Sequence, residues 1–500
     1  MRTISKILIA NRGEIALRII RTAKEMGIAT VAIYSDVDEN SPFVLAADEA
    51  VCVGPAPSSE SYLLTDRVLK AAIDTGANAI HPGYGFMSEN ADFAEAVEEA
   101  GIAFIGPGSN AIRTMGDKLA AKAAVLKRNI PMVPGTEGAI SDPEEAVREA
   151  SKIGMPLIIK ASAGGGGKGM RAVYDKESVK EELERAISEA HRSFGNGSVF
   201  MERLVLKPRH IEIQVLADSH GNVVHLFERE CSIQRRHQKV VEEAPSALLD
   251  SVMREAMGQC AIEVAKCCDY VGAGTVEFLV DEEMNFYFLE MNTRLQVEHP
   301  VTECITGVDL VKEQIRIAEG HPISFTQNDL KISGHSIELR VYAEDTSEGF
   351  LPCTGFLSKY ITPVGPGIRV DDGVIEGSEV SIHYDPMLSK LIVHGPTREA
   401  AIDRMLNAID DYEVIGVKTT LDFGWFAINH EAFRSGVFDT GFVQEHFSPE
   451  KLIRELPVND SVFAGLVAGL RKRIDTDSNS AVAVLTEQRS AWRNRKMLRG

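Results

Sequence analysis

The sequence is poor in cysteine, and no cysteine lies in a pattern typical of a disulfide framework or a zinc site. It contains 7 cysteines, an odd number, without a Cys-x-x-Cys pair. Cys267 and Cys268 are neighbours in the chain, where two cysteines are poorly placed to bridge each other. We therefore expect free, mostly buried thiols in a reducing compartment, the cytoplasm.

Long apolar runs and an excess of basic residues are also absent. The first residues, MRTISKILIAN, lack the apolar stretch of a signal peptide, and no run is long enough to span a bilayer, so we expect no membrane partner. Asp and Glu number 73 against 53 Lys and Arg, a net charge of −20 that argues against nucleic acid as the main partner. A local basic pocket for an anionic ligand is compatible with this balance.

Two common nucleotide-binding motifs are missing as well. NRGEIA, after the first apolar run, lacks the Gly-x-Gly-x-x-Gly fingerprint of a nicotinamide dehydrogenase. SAGGGGKGM is not a Walker A loop, because Lys168 is followed by Gly169 instead of Ser or Thr. Its place between the predicted strands PLIIKA and MRAVYD indicates a mobile hairpin that closes over phosphates, or else a plain flexible loop. The N–H groups available for phosphates belong to Gly164, Gly165, Gly166 and Gly167.

Two lysines stand at positions that suit a phosphate. Lys160 ends the apolar run of strand PLIIKA beside the glycine hairpin, although a buried lysine can also extend to solvent. Lys118 begins a predicted helix over residues 117–128, where the helix dipole disfavours a cation. A lysine kept at such an unfavourable position indicates a functional role for Lys118, such as contact with a phosphate.

Length and patterning predict several domains. Strands and helices alternate over residues 1–113, which indicates an α/β domain with a Rossmann-like parallel sheet. Residues 114–330 show an α+β pattern without strict alternation, and residues 331–446 are mainly β with two helices near the end. Residues 447–500 have weaker patterning and a basic end, which predicts a helical appendage or a partner-facing tail.

Polar residues occupy every second position in EMNTRLQVEHPVTE, residues 290–303. If the preceding strand continues through residue 298, one face carries five polar groups, at Glu290, Asn292, Arg294, Gln296 and Glu298. A solvated strand face would look similar. The aromatic residues upstream have the same parity, however, so the polar row extends an apolar face and indicates the rim of a pocket.

A second acidic residue is predicted to face the beginning of this row. Glu277 lies in the alternating strand GTVEFLV, and a turn at residues 281–285 would place it opposite Glu290. Two carboxylates so close repel each other unless a divalent cation binds between them. Mg²⁺ prefers carboxylate and amide oxygens, and Asn292 could be a third ligand. The alternative is that both acids are solvated at a sheet edge.

The segment ERECSIQRRHQKVVEEAP, residues 228–245, concentrates basic residues in an acidic protein. Gln234, His237 and Lys239 would supply donors to ribose, phosphate or a small oxyanion. A solvated basic loop is the alternative. A metal role for these histidines is not indicated, because no second histidine or cysteine pair accompanies them.

The sequence segments quoted in the preceding paragraphs, together with HPGYGFMSEN, GDKLAAK and RHIEIQVLAD, resemble the biotin carboxylase family, the ATP-grasp component of biotin-dependent carboxylases. The resemblance covers about residues 3–446 and depends on several long motifs in order. It implies an N-terminal biotin carboxylase domain over 1–113, an ATP-grasp domain over 114–330 with its lid at about 131–203, and a C-terminal β-rich biotin carboxylase domain over 331–446.

The resemblance also implies roles for individual residues. The residues implied for ATP are Lys118, Lys160, His210 and the lid Gly164–Gly167, with Glu202 and Leu204 near adenine. From the donors of the basic segment we add Gln234 and His237 as further nucleotide contacts. Those implied for Mg²⁺ or Mn²⁺ are Glu277, Glu290 and Asn292, and those for bicarbonate are Lys239, Arg294, Gln296 and Val297. Glu298 is similar to the base that deprotonates bicarbonate, and Arg340 matches the arginine that steadies the biotin enolate. Ala163 and Lys168 stand where many relatives have Gly and Arg, and both changes keep the backbone and charge requirements.

The implied reaction is ATP-dependent carboxylation of biotin through carboxyphosphate. We expect the biotin carboxyl carrier protein and the carboxyltransferase on separate chains, a homodimer, and an acceptor for which pyruvate is somewhat favoured over acetyl-CoA, with propionyl-CoA and 2-oxoglutarate also open. The alternatives are a carbamoyl-phosphate-type synthetase and a nucleotide-binding regulatory subunit without turnover. A carbamoyl-phosphate-type synthetase should show a duplicated half, and no internal repeat is visible in this sequence.

The chain purified alone should carry no covalent biotin, because no Ala-Met-Lys-Met segment occurs in it. It should nevertheless show bicarbonate-dependent ATPase activity with free biotin. A streptavidin blot, with a biotinylated protein as the positive control, checks the first expectation, and a signal from this polypeptide would contradict it.

Overall fold

The computed structural model describes residues 1–162 and 169–452. The chain divides into two units, Met1–Ser448 and Pro449–Gly500, and of the second only the 3₁₀ turn Pro449–Leu452 is described. The predicted glycine lid, Gly164–Gly167, and almost all of the predicted extension at 447–500 therefore lie outside the described residues.

The N-terminal region contains the predicted parallel sheet. Its elements are β1 Lys6–Ile9, α1 Gly13–Glu25, β2 Ala29–Ser35, α2 Pro42–Ala46, β3 Glu49–Gly54, α3 Thr65–Thr75, β4 Ala79–His81, α4 Ala91–Glu99, β5 Ala103–Phe104 and α5 Ser109–Gly116. The strand order is β3-β2-β1-β4-β5, and all pairs are parallel. Leu8 and Ile80 in the central strands are fully buried, as expected when helices cover both faces. The sequence pattern did not indicate β3, a half-exposed edge strand with little alternation.

A small antiparallel sheet follows, flanked by helices. Its elements are α6 Lys118–Leu126, α7 Pro143–Ile153, β6 Leu157–Ala161, β7 Met170–Val173, α8 Val179–Phe194 and β8 Val199–Arg203, with strand order β7-β6-β8. Asp142 caps α7 through the N–H groups of Glu144 and Glu145, and proline occupies its first turn, which fixes where the helix begins. The register places Lys160 opposite Met170 and Phe200.

One eight-stranded antiparallel sheet forms the centre of the molecule. Its strands are β9 Arg209–Ala217, β10 Val223–Arg235, β11 Gln238–Ala244, β12 Gly272–Val280, β13 Phe286–Asn292, β14 His335–Tyr342, β19 Ile368–Asp372 and β21 Met387–Gly395, in the order β13-β12-β9-β10-β11-β14-β21-β19. The pairing of β11 with β14 carries the sheet past residue 330, so the predicted domains 114–330 and 331–446 share one sheet.

The remaining elements surround this sheet. The helices are α9 Ser251–Cys267, α10 His299–Thr306, α11 Leu310–Ala318, α12 Arg398–Asp410, α13 Leu421–Asn429, α14 Glu431–Ser435 and α15 Phe442–His446. The short strands are β15 Glu344–Asp345, β16 Leu351–Pro352, β17 Gly355–Phe356, β18 Lys359–Ile361, β20 Glu379–Val380 and β22 Glu413–Ile415. The seven cysteines are all free thiols. None of the helices in the described ranges has the length and apolar character needed to cross a bilayer.

Strands β9 and β12 of the central sheet each have one apolar and one polar face, and both faces are buried. In β9, Ile211 and Ile213 pack in the core cluster that includes residues of α9, whereas His210, Glu212 and Gln214 point to the other side. Buried charged groups on a strand are unusual unless they are paired or functional. The polar face is therefore the place to look for a reaction site.

Truncation of Leu8 to Ala should lower the free energy of unfolding by about 2–5 kcal/mol, because Leu8 is fully buried in β1 and the change leaves a cavity. Leu45→Ala on α2 is the matched control, since this leucine is 67% exposed and the change should cost no more than about 0.5 kcal/mol. Urea denaturation of both variants measures the difference, and equal losses would contradict the described core.

Candidate active site

The strand that precedes the polar row ends earlier than predicted. β13 ends at Asn292, residues 293–297 are irregular, and Glu298 occupies the N-cap position of α10. The expected continuation of the strand through Glu298 is therefore wrong. Pro300 lies in the first turn of α10, and this signal for a helix start outweighs the alternation of polar residues.

The polar groups nevertheless gather around one carboxylate. Glu277 on β12 stands opposite Glu290 on β13, as predicted from the hairpin. Asn292 Nδ2 donates to Glu277 at 2.9 Å, and Gln296 Nε2 donates to the same oxygen at 3.1 Å. The turn after β13 thus brings Gln296 back to Glu277 without an extended backbone.

Lys239 is the centre of the charge network. Its ammonium group donates to Glu212 at 2.5 Å, to Glu277 at 2.8 Å and to Glu298 at 2.7 Å. Burial alone would lower the pKa of Lys239, but the three carboxylates raise it well above its usual value. Burial would likewise raise the pKa of Glu298, yet Lys239 and Arg340 hold it well below the usual range. Glu298 is therefore ionised at neutral pH.

Arg340 connects this network to the neighbouring strand β14. Its Nη2 donates to Glu298 at 2.9 Å and its Nε donates to Glu242 at 2.6 Å. Burial, opposed by Arg340 and helped by the nearby Glu298 charge, raises the pKa of Glu242 to about 7. Arg340 is thus shared by a firmly ionised carboxylate and one that takes up a proton near neutrality.

His210 and the predicted metal ligands lie on the other side of Glu277. His210 Nε2 is 2.9 Å from Glu277 Oε2, and its Nδ1 contacts Gln234 Nε2 at 2.9 Å. Burial lowers the pKa of His210, but the Glu277 charge outweighs this and raises it. Burial and the nearby Glu277 raise the pKa of Glu290, whose carboxylate is 3.7 Å from Lys118 Nζ.

The donor set at this point fits a hard divalent cation. Glu277 and Glu290 supply carboxylate oxygens on facing strands, and burial together with the Glu277 charge raises the pKa of Glu290, so a cation bound there would favour its ionised form. Asn292 Oδ1 accepts a hydrogen bond from Arg294 Nη2 at 3.2 Å, so its oxygen faces away from Glu277. Among the described residues, the closely spaced groups able to hold a metal are two others: His210 with Glu212 and Glu277, and Glu212 with Cys231 and Glu298. Glu277 is thus common to the predicted ligand set and to the first of these groups.

A second charged cluster surrounds Glu202 on β8. Lys160 Nζ donates to Glu202 at 2.6 Å, and Lys122 of α6 forms an ion pair with the same carboxylate. Burial opposes ionisation of Glu202, but Lys160 and Lys122 hold its pKa below the usual value. Lys118 begins α6, as predicted, with its N–H group 3.3 Å from the Ser162 carbonyl.

Two predicted residues lie outside these two clusters, and a third lies at the edge of one. Leu204 follows β8 and is half-buried, with its N–H donated to the Pro156 carbonyl at 2.9 Å. His237 is exposed at the turn between β10 and β11. Arg294 Nε donates to Glu89 at 2.8 Å and its Nη2 donates to Asn292 at 3.2 Å, so its guanidinium lies at the edge of the Glu277 cluster.

Two central residues had no predicted role. Arg229 on β10 is fully buried and donates to Glu212 at 2.5 Å and to Gln296 at 3.0 Å, with further bonds to Gln214, Thr275 and Thr302. Glu212 joins Arg229 to Lys239. The alternation in RHIEIQVLAD, with polar groups at every second position of an apolar strand, was the signal that could have found Glu212.

Three family models match the chain in succession. Biotin carboxylase, N-terminal domain, matches residues 3–112; carbamoyl-phosphate synthase L chain, ATP binding domain, matches residues 117–326; and biotin carboxylase C-terminal domain matches residues 338–445. The chain is 51% identical over 503 residues to the propionyl-CoA carboxylase alpha chain, mitochondrial, of Sus scrofa, covering 98% of this chain and 69% of that protein. The chain belongs to the biotin carboxylase family.

Two further comparisons agree with this membership. Biotin carboxylase 2, chloroplastic, of Populus trichocarpa is 52% identical, over 88% of this chain and 84% of its own length. The biotin carboxylase domain dimer of the Hydrogenobacter thermophilus 2-oxoglutarate carboxylase, solved with MgADP, ADP and bicarbonate, is 47% identical with a TM-score of 0.87, covering 91% of this chain and 100% of that one.

The family membership confirms the expected fold and class of activity. The protein is a biotin carboxylase domain of a biotin-dependent carboxylase, with a parallel-sheet N-terminal region, an ATP-grasp region and a C-terminal region. The biotin carboxylase models on both sides of the ATP-binding match decide against a carbamoyl-phosphate-type synthetase.

Replacement of Lys239 by Met should destabilise the protein by about 3–5 kcal/mol at about pH 8, since three buried carboxylates that repel one another lose the cation they share. In the wild type, the depressed pKa values of Glu277 and Glu298 stabilise the fold above the unfolded glutamate pKa of about 4.3. In the variant these pKa values rise, so stability falls as the pH rises through them. The loss measured by urea denaturation should therefore be larger at about pH 8 than at about pH 5.5.

Lys122→Met is the matched control for this prediction. Glu202 keeps Lys160 at 2.6 Å, so the loss should be about 1–3 kcal/mol and nearly independent of pH in this range. A pH-independent loss for Lys239→Met would contradict the assignment of Lys239 as the cation that keeps these carboxylates ionised.

Proposed function

We propose that this chain carboxylates biotin with ATP and bicarbonate through carboxyphosphate, with Glu298 as the base. The observation that carries the proposal is the contact of Glu298 with both Lys239 and Arg340 inside a buried polar face. Two cations keep the carboxylate ionised, and each also suits one anion of the reaction, bicarbonate for Lys239 and the biotin enolate for Arg340.

The nucleotide is proposed to bind between the Glu202 cluster and Glu277. Lys118 and Lys160 are the phosphate contacts, His210, Gln234 and His237 are further donors, and Glu202 and Leu204 lie toward adenine. The glycine run Gly164–Gly167 is proposed as the lid. Glu277, Glu290 and Asn292 would hold Mg²⁺ or Mn²⁺, which neutralises charge on the transferred phosphoryl group when it is bound. Asn292 would have to exchange its contact with Arg294 for the metal.

Bicarbonate is proposed to bind beside Lys239, Arg294, Gln296 and Val297. Glu298 takes the bicarbonate proton, and the resulting oxygen attacks the γ-phosphorus, which releases ADP and forms carboxyphosphate. If Lys239 turns from Glu298 toward bicarbonate, Glu298 keeps its hydrogen bond to Arg340 but loses one cation, and its pKa rises toward that of a useful base. Carboxyphosphate breaks down to CO₂ and phosphate, the phosphate accepts the ureido proton of biotin, and the ureido nitrogen attacks CO₂ while Arg340 steadies the enolate.

The partners and the acceptor follow from the same family. Biotin is proposed to arrive on a biotin carboxyl carrier protein, and the carboxyl group to leave to a carboxyltransferase on another chain. A homodimer is proposed because a related domain was solved as a dimer. The relative from Sus scrofa favours an acyl-CoA acceptor over the pyruvate that was preferred from the sequence. A cytoplasmic location stays a prediction, since the relatives that the chain matches include proteins named mitochondrial and chloroplastic.

Glu298→Gln should reduce bicarbonate-dependent ATPase activity by about 10²–10⁴-fold, because the amide cannot accept the bicarbonate proton. Binding of MgADP, measured by calorimetry, should change by less than about threefold, since the base is not a nucleotide contact. Glu255→Gln, at an exposed glutamate on α9, is the control and should keep full activity. Turnover that survives in Glu298→Gln would overturn the role of this base, and a wild type without bicarbonate-dependent turnover would favour a nucleotide-binding regulatory subunit.

A further inference from the structure

The segment that carries the base is outside the sheet, so something other than strand pairing must hold it. Residues 293–298 follow the end of β13 and precede α10. The Thr293 N–H donates to Glu89 at 3.2 Å at one end of the segment. At the other end, buried side chains donate hydrogen bonds to main-chain carbonyls of the segment.

Two buried side chains hold two consecutive carbonyls. His299 Nδ1 is 2.8 Å from the Gln296 carbonyl, and Lys390 Nζ donates to the Val297 carbonyl at 3.0 Å. A peptide group is planar, with its C=O and N–H pointing in opposite directions. The first contact therefore directs the Val297 N–H away from His299, and the second directs the Glu298 N–H away from Lys390. Within residues 1–162 and 169–452, neither N–H donates a hydrogen bond.

Lys390 is an unusual residue to find at this depth. It lies on β21 with no exposed surface, opposite Arg340 of β14 and Asp371 of β19. Its ammonium group is 3.3 Å from Glu14 of α1 and 3.8 Å from Asp371. A buried lysine is costly unless it is paired, and here carboxylates from two distant parts of the chain pair it. Its direct hydrogen bond, however, goes to the carbonyl immediately before the base.

We propose that Lys390 is a positioning residue that fixes the peptide between Val297 and Glu298, and so sets the direction in which the base leaves the main chain. This inference rests on the proposed function, in which Glu298 is the base and Val297 contacts bicarbonate. Lys390 touches no reacting atom itself. It acts by holding the carbonyl from behind, in place of the strand partner that residues 293–298 lack.

Geometry explains why such a contact matters for the rate. The base and the Val297 N–H are adjacent in the chain, so rotation of the peptide between them changes the distance from Glu298 to any anion held by Val297. A displacement of about 1 Å at a reacting group can cost about 10²-fold in rate. The His299 N–H also donates to the Gln296 carbonyl at 3.3 Å, so Val297 and Glu298 are the central residues of a turn. The contact from Lys390 is the one made directly to the carbonyl of the peptide between them.

The first test is Lys390→Met, which keeps the length of the side chain and removes its donor. The KM for bicarbonate should rise about tenfold and kcat of the bicarbonate-dependent ATPase should fall about 10–100-fold. The Kd for MgADP should stay within about twofold, because Lys390 makes no contact with the predicted nucleotide residues. An unchanged KM for bicarbonate together with an unchanged kcat would overturn the proposal.

A double variant separates position from charge. Glu14→Gln combined with Lys390→Met removes the ammonium group together with one of its facing carboxylates, so the midpoint of urea unfolding should recover toward that of the wild type. The defect in bicarbonate KM and in kcat should remain, since the carbonyl is still unheld. Recovery of both kinetic constants with stability would overturn the proposal, and this variant carries the test if Lys390→Met alone does not fold.

Arg398→Met is the matched control for loss of a buried ion pair. Arg398 bonds Glu243 at 2.7 Å and the Phe433 carbonyl at 2.6 Å beside the same sheet, without contact to residues 293–298. It should lower the unfolding midpoint and leave the KM for bicarbonate within about twofold. Equal kinetic defects in the Arg398 and Lys390 variants would assign Lys390 a purely structural role. Absence of bicarbonate-dependent turnover in the wild type would instead refute the proposed function, so the two failures are distinguishable.

Discussion

The contact of one buried ammonium group, that of Lys239, with three carboxylates is the interaction on which the site depends. Glu212, Glu277 and Glu298 come from β9, β12 and the start of α10, and without a shared cation they would repel one another. Each carboxylate also has a second partner: Arg229 for Glu212, His210 for Glu277 and Arg340 for Glu298. The ionised state of the base is thus a property of the whole network.

This network needs a scaffold whose apolar packing offsets the free-energy cost of burying charged groups. Strands β9, β12 and β13 supply it, because their opposite face packs isoleucine, valine and phenylalanine side chains in the cluster that includes α9. Alternation along each strand keeps the two faces apart, so His210, Glu212 and Gln214 share a face that Ile211 and Ile213 do not reach. The apolar side stabilises the fold, and the polar side carries the chemistry.

Much of this arrangement could be predicted from the sequence, and the predictions that failed did so for physical reasons. The N-terminal parallel sheet, the start of α6 at Lys118 and the facing pair Glu277–Glu290 follow from periodicity and turn signals. The end of β13 was missed because alternation of polar residues does not distinguish a strand from an irregular segment that folds back. Pro300 was the competing signal.

The residues that the sequence did not reveal are those whose role depends on distant partners. Arg229 reaches Gln296 across 67 positions of the chain, and Lys390 reaches Val297 across 93. A single lysine in an apolar strand such as MLSKLIVHG is usually taken for a side chain that extends to solvent. Only the tertiary structure shows that Lys390 is fully enclosed and bonded to a carbonyl.

The continuity of the central sheet past residue 330 has one more consequence. Glu277, Glu212 and Arg340 are placed by the hydrogen-bonded register of neighbouring strands, β12 with β9 and β11 with β14. A slip of a single residue in any of these pairings would turn the side chains of that strand to the apolar side. A misaligned sheet would therefore bury several unpaired charges at once and would be unstable. A chain that folds with the correct register thereby also brings its reacting groups together.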